Sequence, residues 1–401
     1  MTNPWPTTKL GDVIDLFDSQ RIPLNSRQRQ ERQGKFPYYG AQGIIDYIDD
    51  YIFDGRYILV AEDGENLNSK KLPLALFATG KFWVNNHAHI LRGKANIADD
   101  TYLLACLNNA DIKPFVTGAA QPKLSQGNLR LIEIPLPPLP IQHRIAGILS
   151  AYDELIENSQ RRIKLLEAMA RALYREWFVH FRFPGHENHP RVPSPLGEIP
   201  QGWEVKAVAE AFTISGGGTP SRKESAYWEG GTIQWYSPSD LTGAGTMFMD
   251  DSSDHITERG LEQSSARMFP PRSVMLTSRA TIGAIAINTH PACTNQGFIT
   301  CLPNKHVPLY FLFHWLTENV PTFQLMASGA TFKEISRGVF KTIDFLQPPI
   351  ELVEQFEAHA TPLAEQILSL QRQVNNLRRT RDLLLPRLLS GQIDVKTTPY
   401  A

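Results

Sequence analysis

The stretch IQHRIAGILSAYDELIENSQRRIKLLEAMARALYREWF, residues 141–178, decides the fold. Ile145, Leu149, Tyr152, Ile156, Ser159, Ile163, Leu166, Ala170, Leu173 and Trp177 recur at alternating steps of four and three, and nine of the ten are apolar or aromatic. That is an a/d seam sustained over about five heptads, the pattern of a long helix packing on another helix. A second copy lies in the same chain. Adding 211 to each position gives Phe356, Ala360, Leu363, Ile367, Leu370, Val374, Leu377, Arg381, Leu384 and Leu388, again with nine apolar residues of ten.

The echo extends upstream at the same offset. TGAAQPKLSQGNLRLIEIPLPPL (117–139) aligns with SGATFKEISRGVFKTIDFLQPPI (328–350). Gly118, Ser125, Gly127, Ile132, Pro137 and Pro138 match Gly329, Ser336, Gly338, Ile343, Pro348 and Pro349. One repeat unit is thus a globular segment, a glycine-bearing loop, a short strand, a Pro-Pro break and a long helix. Proline cannot donate to a strand ladder and pushes the preceding residue out of the α region, so each strand ends there. Pro362, where the first helix has Ala151, predicts a kink or a late start in the second helix. FPGHENHPRVPSPLGEIPQGW (183–203), rich in Pro, Gly and His, reads as a linker.

Each globular segment reads as mixed α and β. Strands and turns are expected over 57–64, 74–80 and 81–93, then 273–288 and 297–304, with helices over 101–110 and 310–320. The expected order is a domain at 1–138, a helix at 139–182, a linker at 183–203, a domain at 204–349, a helix at 350–392 and a tail at 393–401. About 38 residues of helix span roughly 57 Å, whereas a domain of about 145 residues is roughly 40 Å across. The second domain cannot easily return the chain that extra distance, so the second helix should run back antiparallel to the first, with homodimerisation through parallel seams as the rival reading. The expected fold class is α+β: two tandem mixed domains joined by two long helices in an antiparallel coiled coil, with a pseudo-two-fold axis. Domains held apart by such a rod could contact DNA a turn (about 34 Å) or more apart, at two unlike half-sites.

Composition is that of an ordinary globular chain, with 20% charged and 42% hydrophobic residues. A net charge of −1 gives no bulk support to nucleic-acid binding, so basic groups must be clustered locally or partners must supply much of the field. Cys106, Cys293 and Cys301 form no CxxC and no disulfide framework, which fits a reducing cytosol. No apolar run approaches a membrane span, and MTNPWPTTKL lacks a signal core; the expected place is cytoplasmic, with no membrane partner.

Catalytic motifs are missing. No GxxxxGK[ST] phosphate loop occurs, since Gly80-Lys81 is followed by Phe82 and lacks the upstream glycine. The Pro-Pro pairs follow Leu136 and Gln347 rather than the Asn or Asp that an adenine methyltransferase places before Pro-Pro-aromatic. Gly216-Gly217-Gly218 reads as a turn before Thr219-Pro220. His87 and His89, two apart in an apparent strand, should share one side, yet no third ligand stands at metal spacing, so no metal is expected.

YYGAQGIIDYIDDYIFDGRYILVAEDG (38–64), KFWVNNHAHILR (81–92) and GAAQPKLSQGNLRLIEIPLPPLPIQ (118–142) carry a family likeness in the first unit. SGGGTPSRKESAYWEGGTIQWYSPSDL (215–241), SVMLTSRATIGAIAINTHPACTNQGFIT (273–300) and GATFKEISRGVFKTIDFLQPP (329–349) carry it in the second. The chain resembles the specificity subunit of Type I restriction–modification systems over nearly its whole length. The resemblance implies two target-recognition domains with the helices as spacer, and a subunit that is not itself catalytic. It implies double-stranded DNA as ligand and two modification subunits that methylate adenine with S-adenosylmethionine. Restriction–translocase subunits would use ATP and Mg, so this chain would bind none of these cofactors. A self-sufficient DNA methyltransferase or nuclease, or a coiled-coil scaffold without DNA contact, remains the alternative.

DNA contacts need Lys, Arg, Ser, Thr and backbone amides for phosphates, and Asn, Gln and Arg for base edges. The loop before each short strand supplies them: Gln121, Lys123 and Ser125 in one unit, Thr331, Lys333, Ser336 and Arg337 in the other. Tyr38, Tyr39, Gln42, Asn85 and Asn86 are further candidates in the first domain, and Arg279, Thr281, Asn295 and Gln296 in the second. Arg21, Arg27, Arg29, Arg32 and Lys35 could follow the phosphates, whereas Arg161, Arg162, Arg378 and Arg379 suit a solvated or partner-facing helix surface.

Overall fold

The computed structural model describes residues 5–118, 121–329 and 331–395, so residues 1–4, Ala119, Ala120, Ala330 and the tail 396–401 lie outside the described residues. The chain forms two compact units, and they do not follow chain order. Unit 1 comprises Met1–Glu157 and Asn376–Ala401; unit 2 is the block Asn158–Asn375. Both boundaries fall inside the long helices, Leu139–Tyr174 and Ile350–Leu389.

In unit 1 the strands are Thr7–Lys9 (β1), Ile14–Leu16 (β2), Gln33–Gly40 (β3), Gly43–Ile48 (β4), Phe53–Ala61 (β5), Ala75–Val84 (β6), Ala88–Gly93 (β7) and Glu133–Pro135 (β8). Six of them form a sheet in the order β2-β7-β5-β6-β3-β4. The expected break between strands near residue 80 is absent: β6 runs through to Val84, and the chain turns at Asn85–His87. Helix Asp100–Asn109 starts where Asp99 caps the Tyr102 amide, within one residue of the expected 101–110.

Unit 2 contains Arg191–Ser194 (β9), Gly197–Pro200 (β10), Glu204–Ala207 (β11), Thr213–Gly216 (β12), Ile233–Tyr236 (β13), Phe248–Met249 (β14), Asp254–Ile256 (β15), Val274–Thr277 (β16), Ile285–Asn288 (β17), Ala292–Thr294 (β18), Phe298–Leu302 (β19) and Asp344–Gln347 (β20). Its larger sheet has the order β12-β19-β16-β17-β14, beside a three-stranded sheet β15-β13-β18.

The repeat therefore covers the sheets as well as the loops. Antiparallel pairs β2·β7, β7·β5 and β5·β6, then parallel β6·β3, recur as β12·β19, β19·β16 and β16·β17, then parallel β17·β14. Short pairs β1·β8 and β11·β20 also correspond. Each leads into a four-residue helix whose first amide is fixed across the unit: Leu10 N donates to Ile132 O (2.8 Å) and Val208 N to Ile343 O (2.9 Å).

Within each unit the long-helix segments run antiparallel, as expected. In unit 1, Ile145 and Leu149 share a core with Leu388 and Leu389, and Asp153 meets Arg381 at 2.6 Å. In unit 2, the Trp177 ring lies 6.3 Å from Phe356, and Ile163 and Leu166 pack on the core that holds Ile367. All twenty seam positions are buried or half-buried, whereas Leu155, Leu165, Met169 and Leu383 off the seam are exposed.

Three expectations need correction. The second helix does not start late: it is helical from Ile350 through Pro362. Ala358, the residue whose carbonyl loses its partner there, is exposed like Pro362 itself, so water can take the freed bond. The first α-helix stops at Tyr174 and continues as a π-helical turn, Arg175–Val179, rather than reaching 182. That turn brings Tyr174, Trp177 and Phe178 into one core. Residues 183–203 are not a bare linker. β9 and β10 form a hairpin there, and Phe183, Ile199 and Trp203 are buried, with Trp203 5.6 Å from the Phe183 ring and 6.0 Å from Phe178. Among the described residues no helix is long and apolar enough to cross a membrane.

Candidate nucleic-acid interface

The glycine-bearing loop is built twice on one backbone plan. Thr117 and Lys123 exchange backbone hydrogen bonds (2.8 and 2.7 Å), as Ser328 and Glu334 do (3.0 and 2.8 Å). Gly118 (φ 87°) and Gly329 (φ 129°) turn the chain in the left-handed region. A Cβ on either would lie 2.3 Å from a carbonyl oxygen, that of Gln121 or Phe332. Buried Leu124 and Ile335 pin the returning arm: Leu124 N donates to Glu62 O (2.8 Å), and Ile335 N to Ser278 O (2.9 Å). Ser125 and Ser336 then cap short helices, accepting from Asn128 N and Val339 N at 3.2 Å each. These two serines, expected as phosphate contacts, accept at the caps and keep their O–H donors.

In unit 2 the fold brings the candidates together. Arg279, Asn295 and Gln296 line an open cleft of about 350 Å³ with Pro238, Ala280, Gly297 and Phe332. Gln296 also lines a cleft of about 420 Å³ with Ser336, Arg337 and Glu334. Gln296 Oε1 accepts from the Thr219 hydroxyl (2.6 Å) and Asn295 Oδ1 from Gly297 N (2.8 Å). Arg279 lies 3.8 Å from Glu334. Arg337 lies across Gly216, where a Cβ would come within 2.3 Å of its guanidinium. Gly217 and Gly218 sit equally close to the Thr294 and Ser265 backbone, which supports a structural turn. Thr281, Thr331 and Lys333 are exposed.

Unit 1 assembles less. Gln42, Asn86 and Gln121 are exposed. Tyr38 and Tyr39 are corrections, because β3 is covered on both faces over its last three residues. Tyr38 is fully enclosed with its hydroxyl bonded to Leu24 N (2.9 Å), and Tyr39 packs edge-on to Phe82. Asn85 is buried too, accepting from His87 N to close the β6–β7 turn. The basic run is largely neutralised: Arg21 bonds Glu62 (2.7 Å), Arg29 bonds Asp46 (3.0 Å) and Arg32 bonds Asp49 (2.9 Å), with Arg27 paired to Glu31 on the surface.

His87 and His89 do not share a side. His87 stands in the turn, 2.6 Å from Asp63, while His89 is buried in β7. Asp18, Glu62 and His89 come within 4.8 Å of one another, close enough for a metal. Their ligand atoms are already engaged. His89 uses Nδ1 on Asp18 (2.6 Å) and Nε2 on Leu124 O (2.8 Å), while Glu62 meets Arg21 (2.7 Å) and Lys123 (3.2 Å). Burial pushes the Asp18 carboxyl up, but the His89 bond and charge, the Ile90 amide and Arg21 outweigh it and hold the pKa below the usual value. The cluster is an ion network that ties the loop to the sheet, and only the folded chain brings it together.

A second pair of equivalent places lies where each domain helix meets the long-helix segments. In unit 2, Phe313, His314 and Thr317 with Ala170, Ala360 and Ala364 line a cleft of about 440 Å³. In unit 1, Leu104, Ala105 and Asn108 with Arg381, Leu149 and Asp153 line one of about 360 Å³. These sets match at offsets of 209 and 211. The Asp153–Arg381 ion pair of unit 1 becomes Ala364 and Ala170 in unit 2, and Ala105 becomes His314. His314 is buried with no hydrogen-bond partner on either ring nitrogen; burial, then the Arg171 charge, lowers its pKa to about 4.

Comparison with known proteins agrees with this duplicated plan. The family model described as Type I restriction modification DNA specificity domain matches residues 2–168 and again 200–359. The Type I restriction enzyme MjaIX specificity subunit of Methanocaldococcus jannaschii is 28% identical over 292 residues, covering 71% of this chain but 66% of that protein. The Type I restriction enzyme HindI specificity subunit of Haemophilus influenzae is 22% identical over 98% of this chain and 95% of its own length. The crystal structure of the Type-I restriction-modification system S subunit from M. genitalium shares the fold, with a TM-score of 0.64 at 16% identity over 97% of this chain and 99% of that one. With one match over each copy of the loop and sheet, this chain belongs to the family of Type I restriction–modification specificity subunits.

Proposed function

We propose that the chain recognises a bipartite, asymmetric double-stranded DNA target, one half-site per unit, with the paired helices setting the gap. The carrying observation is the loop–sheet frame built twice, with equivalent anchors and different exposed side chains. One frame with two fillings suits two unlike sequences read in one way. On this reading catalysis belongs to partners. Two modification subunits methylate adenine with S-adenosylmethionine, and restriction–translocase subunits consume ATP with Mg. The chain itself binds none of these cofactors and works in the cytosol where the DNA is.

Methylation-site mapping in a host that expresses the chain with its modification subunit tests this reading. Two unlike blocks separated by an unread gap are expected; a single contiguous block refutes it. Inserting one heptad at matching places in both helices should widen the gap by about 10 Å, or roughly three base pairs, and leave both blocks unchanged. Methyl transfer or DNA cleavage by the purified chain alone would favour a self-sufficient enzyme.

A further inference from the structure

Phe332 is a large apolar side chain left 58% exposed at the turn of the unit 2 loop, where Gln121 stands in unit 1. Most of its surface stays open to water there. Its base is nevertheless firm: Ser328 and Glu334 pair beneath it, Gly329 closes against its carbonyl, and Ile335 anchors the returning arm in the core. A side chain so mounted loses little further freedom on insertion into a partner.

Its surroundings indicate the partner's chemistry. Phe332 walls the cleft that also holds Arg279, Asn295 and Gln296, and Lys333 follows it in the chain. Gly297 N and the Thr219 hydroxyl occupy the two amide oxygens, and no bond among the described residues occupies the amide N–H groups, which leaves them as the donors for a ligand. Cations and amide donors around an exposed aromatic ring suit phosphates, base acceptors and a stacked base, rather than an apolar protein surface.

Resting on the DNA-reading function proposed above, we infer that Phe332 is an aromatic wedge that enters the duplex at one half-site. It stacks on a base step and so makes unit 2 sensitive to how easily that step unstacks, a form of readout that unit 1, with Gln121, lacks.

The test uses the complex with its modification subunit and a duplex carrying the target found by methylation mapping. 2-Aminopurine is placed at successive positions through both half-sites. One step should brighten on binding by the native and Phe332→Trp complexes but not by Phe332→Ala. Loss of a stacked base should weaken Phe332→Ala binding on the order of tenfold to a hundredfold. Its salt dependence should stay unchanged, whereas Lys333→Ala should flatten that dependence. A Phe332→Ala complex with native affinity and native fluorescence overturns the wedge and leaves the DNA-reading function standing. Loss of assembly with the modification subunit instead makes Phe332 a protein contact and also overturns it. A native complex that does not prefer the mapped duplex overturns both readings.

Discussion

Units 1 and 2 share a backbone plan and differ in what they place on it. Gly118 and Gly329 turn the same loop, Leu124 and Ile335 anchor it, and Ser125 and Ser336 end it. Between those fixed points the chemistry changes sign. Lys123 sits 3.2 Å from Glu62, while its counterpart Glu334 faces Arg279. The same holds where the domain helix meets the long helices. Gln142 in unit 1 accepts from Asp99 N (2.9 Å), and in unit 2 Glu357, one helical turn beyond the position equivalent to Gln142, accepts from Tyr310 N (2.7 Å): a neutral amide and an acid tether the starts of equivalent helices from different turns. Positions that fix geometry repeat, and positions that face a ligand or tune a tether diverge.

The comparison breaks most readily at the second long helix, which serves both units. Phe356→Ala opens the unit 2 core, where that ring is fully buried, and should cost about 3–5 kcal/mol; Leu388→Ala opens the unit 1 core and should cost about 2–5 kcal/mol. Hydrogen exchange should show each loss confined to its own unit. A single shared loss would mean that the units unfold as one.

Glu357 provides the next largest effect. Burial pushes its carboxyl up to about 7, against the pull of the Tyr310 and Phe311 amides, and its second oxygen has no partner. The folded state holds that proton longer than the unfolded state does. Unit 2 therefore loses stability as pH rises from about 4.5 to about 7, by about 3 kcal/mol in all. Glu357→Gln, which keeps the acceptor for Tyr310 N but cannot ionise, should abolish that slope in denaturation curves taken between pH 5 and 8. Persistence of the slope would assign it to another group.

A methyl group at either loop glycine should cost about 1–3 kcal/mol, since it meets positive φ and a carbonyl together. Gly118→Ala and Gly329→Ala should lose equally in thermal denaturation, and unequal losses would show that the two loops are not the same device. The smallest effect concerns charge. Lys123→Ala and Glu334→Ala each remove one partner of an accessible pair and should change stability by about 1 kcal/mol or less. A larger loss at Lys123 would reveal a share in the Asp18–Glu62–His89 network.

Spacing made the helices and loops legible, because a seam and a turn depend on local period and on the residue types that a backbone tolerates. Orientation was harder to read. Tyr38 and Tyr39 look like candidate contacts in sequence, yet β3 pairs with strands on both sides there and both rings turn inward. Residues 183–203 carry loop composition, and only tertiary packing shows that Phe183, Ile199 and Trp203 belong to a core. Phe332 poses the converse problem: sequence alone does not separate an exposed apolar residue in a polar loop from a buried anchor such as Ile335. Arg21 reads as a free cation until Glu62, forty-one residues on, is found beside it.

The placement of the unit boundaries inside the long helices bears on biosynthesis. Unit 1 starts first at the ribosome and is completed last, because Leu388, Leu389 and Val395 of its core follow the whole of Asn158–Asn375. At about 5–20 residues per second, Ile145 and Leu149 wait roughly 12–50 s for those partners. During that interval unit 2 is a contiguous block that can close on itself, so the nascent chain matures from its middle outward.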